Sequence, residues 1–313
     1  MTRSSAPEPS RDNDTADETA APHDTLPCVL SFNASDPTGA GGVVSDAMVI
    51  ASIGAHALPV ITGAYVRDTR EIMGHASLGD DAVAEQAGAV AEDIPLHAIK
   101  IGFVGSAEAV AAIAAFVSDY PAVPVVAYMP DLSWWSEDEI DNYLDAFREL
   151  LLPQVAVLVG NNTTLRHWLL PESTTDRRAR ATDLARAAGE LGVSYVLVTG
   201  IPAVGDQLGN VLASAQGELF SQSYERIDAG FLGAGDILSA ALTALIATGS
   251  ELTEAVAEAL QYLDQALDHG FRPGMGRAVA DRLFWAESDD ADSADDDAPP
   301  SFDIPHPFNE TKH

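Results

Sequence analysis

Cys28-Val29-Leu30-Ser31-Phe32 runs directly into Asn33-Ala34-Ser35-Asp36-Pro37-Thr38-Gly39-Ala40-Gly41-Gly42-Val43-Val44-Ser45-Asp46. The first run is short and mostly apolar, which predicts a buried strand. A polar, glycine-rich turn follows, and the apolar spacing from Gly42 to Ile53 predicts a helix stopped by Gly54. A buried strand, a small-residue turn and a helix, in that order, make a ligand-binding layout, because ligands on α/β sheets bind beyond the carboxyl ends of the strands. The turn is neither a P-loop nor a dinucleotide fingerprint, since the lysine of the one and the spaced glycines of the other are missing.

Outward from this unit, short apolar runs alternate with amphipathic stretches. Strands are expected at 58–64, 98–103, 123–128, 155–159 and 195–199, and helices at 80–92, 108–118 and 182–191. Ser136, with Glu139 three residues on, reads as a capping box for a helix running to about Leu152. Residues 211–213 and 218–221 read as a short antiparallel pair, followed by helices at 235–248 and 253–269. The alternation implies right-handed βαβ crossovers and a mainly parallel sheet covered on both faces. No internal repeat is visible.

The other end of the chain carries a second small-residue turn, Phe231-Leu232-Gly233-Ala234-Gly235-Asp236-Ile237-Leu238-Ser239-Ala240-Ala241. Small residues let the backbone approach a ligand closely, and the free N–H groups at a helix start favour an anion. Asp236 could accept a proton from an attacking hydroxyl. From the residues alone, the stretch is either a phosphate cradle or an ordinary junction with Asp236 as N-terminal cap. Two such turns can meet over one sheet and set a substrate beside a phosphate donor.

The chain has 313 residues, nearly half of them apolar, and a formal net charge of −32. Such acidity argues against nucleic-acid or anionic-membrane partners, which need basic patches, and fits solubility or adaptation to salt. The one cysteine, Cys28, lies in an apolar run and points to a reducing compartment. With no apolar signal region and no membrane-length window, a cytoplasmic protein is expected. The histidines show no ligand spacing, so no transition-metal site is expected. Residues 1–25 and 287–313 are acidic and poor in large apolar residues, and read as disordered tails around a core at 26–286.

Ser35 to Gly42, followed by Asp46, resembles the opening signature of the hydroxymethylpyrimidine and phosphomethylpyrimidine kinases of thiamine biosynthesis. These belong to the ribokinase-like superfamily, together with the pyridoxal kinases. The resemblance continues through 53–62, Thr69-Arg70, Lys100-Ile101-Gly102, 151–155 and Asn161, and closes with 233–241, so that it spans nearly all of the core. It implies a three-layer α/β/α domain with a mainly parallel central sheet, ATP and Mg2+ as cofactors, a small-molecule substrate and a homodimer. Gly233, Ala234 and Gly235 would form the anion hole. Asp236 takes the catalytic place, where the pyrimidine kinases usually have Cys, and pyridoxal kinases and ribokinases have Asp. Asp36, Gly41, Arg67 and Phe103 fall on the substrate side, and Asn161, Thr199 and Gly200 on the nucleotide side.

The departures are as informative. Arg67 stands where the family places a Gln that reads the aminopyrimidine, and Arg only donates. Phe103 replaces a Met of the pocket wall. The family's Asp after the fourth core strand is missing from Tyr128-Met129-Pro130-Asp131, where Asp131 is shifted in register. The Asn-x-x-Glu motif tied to phosphates and magnesium reads Asn161-Asn162-Thr163-Thr164, without a carboxylate. Thr199 stands in place of a Lys. Lys100, ending an apolar strand, reads as a site residue or an internal ion pair. Arg67 and Arg70 could clamp a phosphate or pair with Asp68 or Glu71. Trp134 and Trp135 could cover a site, mediate dimer contacts or pack beneath a loop. The expected activity is ATP-dependent phosphorylation of hydroxymethylpyrimidine, and of its monophosphate, in thiamine biosynthesis, with pyridoxal or pyridoxamine as alternative substrates. A non-catalytic pyrimidine-binding sensor or partner subunit is the reading from a different class.

Overall fold

The computed structural model describes residues 26–170 and 179–286, so the two expected tails lie outside the described residues. The first half comprises β1 (Cys28–Ser35), α1 (Gly42–Ile53), β2 (His56–Arg67), β3 (Ile72–Ser77), α2 (Asp80–Ala91), β4 (Ala98–Ile101), α3 (Ala107–Ser118), β5 (Val125–Met129) and α4 (Glu137–Ala146). The second comprises β6 (Val157–Asn161), α5 (Asn162–Leu169), α6 (Ala181–Glu190), β7 (Tyr195–Pro202), β8 (Gln207–Ser214), β9 (Gly217–Glu225), β10 (Phe231–Leu232), α7 (Ala234–Ala247), α8 (Leu252–Asp268) and β11 (Ala278–Val279).

The main sheet has the order β3-β2-β1-β4-β5-β6-β7-β8-β9. From β2 to β7 neighbouring strands are parallel, while β3, β8 and β9 pair antiparallel with their neighbours. The chain leaves β1 on one side to build β2 and β3, then returns to place β4 on the other. This reversal opens a crevice beyond the carboxyl end of β1.

Side-chain alternation along the central strands divides the core. Leu30, Phe32, Ile99 and Ile101 face the layer that holds α2 to α6, whereas Val29 and Ala98 face α1, α7 and α8. Ser31, Asn33 and Lys100 fall on the second face by the same alternation, and all three are buried. Helix α7 lies across β1, β4, β5 and β6 on that face. It is buried without interruption from Ile237 to Leu245, as befits a helix covered on all sides.

The element order follows the sequence reading, with four differences. Strand β2 is longer than expected and continues into the ribbon β2–β3, whose residues are half-exposed and give no clean alternation. The helix after Ser136 is regular only to Ala146 and then widens into a π turn at Phe147–Leu151, which keeps both Phe147 and Leu151 in the core. The capping box does not form: the Ser136 hydroxyl donates to the Glu139 carboxylate at 2.5 Å instead of accepting from the backbone. The short helix α5 and the small β10–β11 pair carry no sequence signal of their own. No helix of the described residues is long and apolar enough to cross a membrane.

Candidate active site

The polar side chains that β1 and β4 turn toward α7 do not reach water. They meet two carboxylates, Asp46 from α1 and Asp236 from the first turn of α7. Lys100 Nζ lies 2.7 and 2.8 Å from the two oxygens of Asp46 and 2.8 Å from Asp236 Oδ1. Asn33 Nδ2 donates to Asp236 Oδ1 at 2.8 Å and to Asp46 Oδ2 at 3.0 Å. The Ser31 hydroxyl donates to Asp46 at 2.7 Å, and the Gly42 N–H donates to Asp236 Oδ2 at 3.1 Å. Lys100 is therefore the internal ion pair of the two alternatives, and its partner is the residue expected to be catalytic.

One ammonium between two carboxylates leaves the cluster with a net negative charge, and burial decides who carries it. For Asp236, burial pushes the carboxyl upward, but the charge of Lys100 and the bonds from Lys100, Gly42 and Asn33 outweigh it, so it stays ionised below the usual Asp range. Asp46 is pushed up by burial, against the pull of Lys100, and takes a proton before Asp236 does. Burial pulls Lys100 down, yet Asp236 and Asp46 more than offset this and hold its ammonium above the ordinary lysine range. Asp236 thus presents an anionic carboxylate, 16 % exposed, to the cavity beside it.

That cavity has a volume of about 560 Å3 and lies at the carboxyl ends of the parallel strands. On one wall the chain enters α7 through Gly233, which has φ of +73°. A Cβ there would stand 1.8 Å from the Ala40 carbonyl oxygen, so only glycine allows the closing turn to rest on the opening one. The two small-residue turns do meet. The N–H groups of Ala234, Gly235 and Asp236 have no acceptor in the preceding turn and lie at the positive end of the α7 dipole. Gly233, Ala234, Gly235 and Asp236 all line the cavity.

The opposite wall of the cavity is shaped by the opening turn. Asp36 accepts from Thr38 N at 2.9 Å, Thr38 Oγ1 at 2.7 Å and Gly41 N at 3.2 Å. Its Oδ2 also lies 3.4 Å from Arg67 Nη1. The Arg67 guanidinium sits 5.8 Å from the centre of the Tyr65 ring. Asp36, Gly41 and Arg67 line the cavity as expected; Arg70 lines it too but pairs with Asp68 at the exposed rim. Phe103 does not line it. Its ring is buried behind Tyr65, stacked at 5.2 Å, and Tyr65 faces the cavity in its stead. Trp134 packs edge-on to Tyr65 and Phe103 and closes the cavity from the loop after β5.

Of the residues expected on the nucleotide side, Asn161 and Thr199 border the main cavity and, with Gly200, a second one of about 370 Å3. Leu208, Ile227, Phe231, Leu263 and Leu267 give the latter apolar walls suited to a planar base. The Asn161 side chain caps α5 by accepting from Thr163 N. Among the described residues no group of three or more His, Cys, Asp or Glu side chains could hold a metal ion. Asp131 spends its carboxylate on Ser133, and Thr164 has none to offer. The described residues thus build no all-protein cage for magnesium, an ion that is ordinarily held largely by phosphates and water.

A family model for phosphomethylpyrimidine kinase matches residues 36–281. The chain belongs to that family. The hydroxymethylpyrimidine/phosphomethylpyrimidine kinase of Streptomyces coelicolor is 28% identical over 265 residues, which cover 84% of this chain and 96% of that protein. Among solved structures, Bacillus subtilis pyridoxal kinase in complex with ADP superposes with a TM-score of 0.72 at 21% identity, covering 83% of this chain and 99% of that one. The phosphomethylpyrimidine kinase of Clostridium difficile 630 gives 0.61 at 22%, covering 76% and 100%. The fold is thus the ribokinase-like α/β fold of this kinase family. Asn33, Asp46, Tyr65 and Tyr128 escaped the sequence reading as site residues. For Ser31 and Asn33 a signal existed, in polar side chains within a strand otherwise buried.

Proposed function

We propose that this phosphomethylpyrimidine kinase family member transfers the γ-phosphoryl group of ATP to the hydroxymethyl group of hydroxymethylpyrimidine, in thiamine biosynthesis. One observation carries the reading: an ionised Asp236 and three unengaged backbone N–H groups belong to the same helical turn and border the same cavity. In the proposed step, Asp236 Oδ2 accepts the substrate hydroxyl proton while the substrate's hydroxyl oxygen bonds to the γ-phosphorus. The bond from phosphorus to the β–γ bridging oxygen breaks, and its electron pair leaves with ADP. The N–H groups of Ala234, Gly235 and Asp236 take the charge on the transferred oxygens. The low basicity of Asp236 is compatible with this, because a loose transition state asks for the proton late. Asp36, Gly41 and Arg67 are proposed for the acceptor ring, and Asn161, Thr199 and Gly200 for the nucleotide. No step is routed through magnesium, for which the surrounding donor set builds no cage.

Asp236→Asn should lower kcat in a coupled kinase assay by about 10²–10⁴-fold while calorimetry still detects ATP binding; undiminished turnover would reject the mechanism. Pyridoxal is the second acceptor to assay, since Arg67 presents only donors and suits a ring bearing a phenol oxygen. We further propose that residues 26–286 act as one kinase domain and that two copies associate. Val66 and Met73, 55% and 63% exposed on the β2–β3 ribbon, favour such an association. Light scattering at twice the chain mass is the expected result, and a monomer at assay concentration excludes it.

A further inference from the structure

Tyr128 has no part in the mechanism above, yet it sits at its centre. It comes from β5, and its ring rests against the first turn of α7. A Cβ added to Gly235 would lie 2.2 Å from Tyr128 Cζ and 2.3 Å from its hydroxyl oxygen. The hydroxyl end of the ring therefore occupies the space directly over Gly235, midway along the turn whose N–H groups face the cavity. Tyr128 lines the main cavity together with Asp236 and Asn161, and the adjoining one together with Asp131 and Thr164. Among the described residues its hydroxyl has no hydrogen-bond partner. Burial, reinforced by the charges of Asp236 and Asp131, holds the phenol protonated far above its ordinary range, so it is a neutral donor at any working pH.

The hydroxyl lies beside two carboxylates, Asp236 and Asp131, and adds a neutral donor to the space they border. Tyr128 stands near the end of β5, and Thr164, on α5, brings no carboxylate to the adjoining cavity. An unpaired donor placed over a helix N-terminus turns the same space toward phosphate oxygens.

We infer that Tyr128 is a further catalytic residue, whose hydroxyl donates a hydrogen bond to the phosphoryl group as it passes over the Gly233–Asp236 turn. The inference rests on the kinase reading. The hydroxyl forms no covalent bond and keeps its proton; it stabilises negative charge on the transferred oxygens.

Tyr128→Phe tests it, because Phe retains the ring against Gly235 and deletes only the donor. The expected result is a loss of about 10²-fold in kcat, as for removal of one oxyanion donor, with KM for ATP and for hydroxymethylpyrimidine unchanged and the thermal midpoint kept. Wild-type kcat in the variant overturns the inference. So does a lowered thermal midpoint with activity lost in proportion, which would mark Tyr128 as packing alone. A rise in KM at constant kcat overturns it too, by showing a ground-state contact. A wild-type protein inert toward hydroxymethylpyrimidine, its phosphate and pyridoxal sinks the kinase reading and this inference together. An active wild type with an equally active variant sinks the inference alone.

Discussion

Lys100 shows how much one residue can be asked to do. Its ammonium is shut away from water and is the positive partner of both Asp46 and Asp236. Replacing it by Met leaves two carboxylates buried without a counter-charge, and the expected loss of unfolding free energy is about 3–5 kcal/mol, read from urea denaturation. The pH dependence has a defined sign at each end. The folded Lys100 titrates above 10.5, so its contribution is complete below that value and lost as pH climbs past the raised one. The folded Asp236 titrates below 3.8, so its contribution is present above that value and lost on further acidification. Asp46, pushed the other way by burial, takes the first proton and blunts the acid limb. Lys100→Met should lack the alkaline limb; a variant that keeps both limbs would show that the wild-type profile has another source. In the sequence, Lys100 was visible as an oddity in an apolar strand, but its partners were not, because both lie on other elements.

At the scale of elements, the sequence was most legible where burial is symmetric. Short apolar runs such as Ala98–Ile101 and Cys28–Phe32 belong to strands buried on both faces, and helices stopped by glycine, such as α1 at Gly54, ended where their residues predicted. Legibility failed where one element depends on another. The ribbon β2–β3 is held by pairing across the strands and by Tyr65 and His75 packed against Phe103 from another strand's end, and the π turn after α4 answers to the packing of Phe147 and Leu151. The site follows the same division. Gly233 to Asp236 could be read as a turn because their chemistry is local. That Phe103 stands behind Tyr65, and that Tyr128 lies over Gly235, depends on strands brought side by side only by the fold.

For the molecule as a whole, the dominant number is the charge of −32, with Lys and Arg together contributing only 16 residues. Arg67, Arg70 and Arg277 line the main cavity beside Asp36, Glu71, Asp131 and Asp236, so its charge is far closer to balance than that of the whole chain. Elsewhere the surface repels itself. Raising ionic strength from about 0.01 M to about 1 M shortens the screening length from about 30 Å to about 3 Å, and the thermal midpoint should rise with sodium chloride over that range. A midpoint that is flat or falls would mean that the acidic groups are already balanced within the fold.

The hydrogen bond from Asn33 to Asp236 joins residues 203 positions apart, and the turn at Gly233 rests on the carbonyl of Ala40. Contacts of such separation are entropically late in folding. During synthesis at about 5–20 residues per second, the ribosome releases the opening turn well before the carboxylate that completes it. Until α7 has left the exit tunnel and docked, Lys100 and Asp46 wait without their third member. On the mechanism proposed above, phosphoryl transfer waits for α7, and recovery of turnover after dilution from denaturant reports the closure of the first core strand onto the seventh helix.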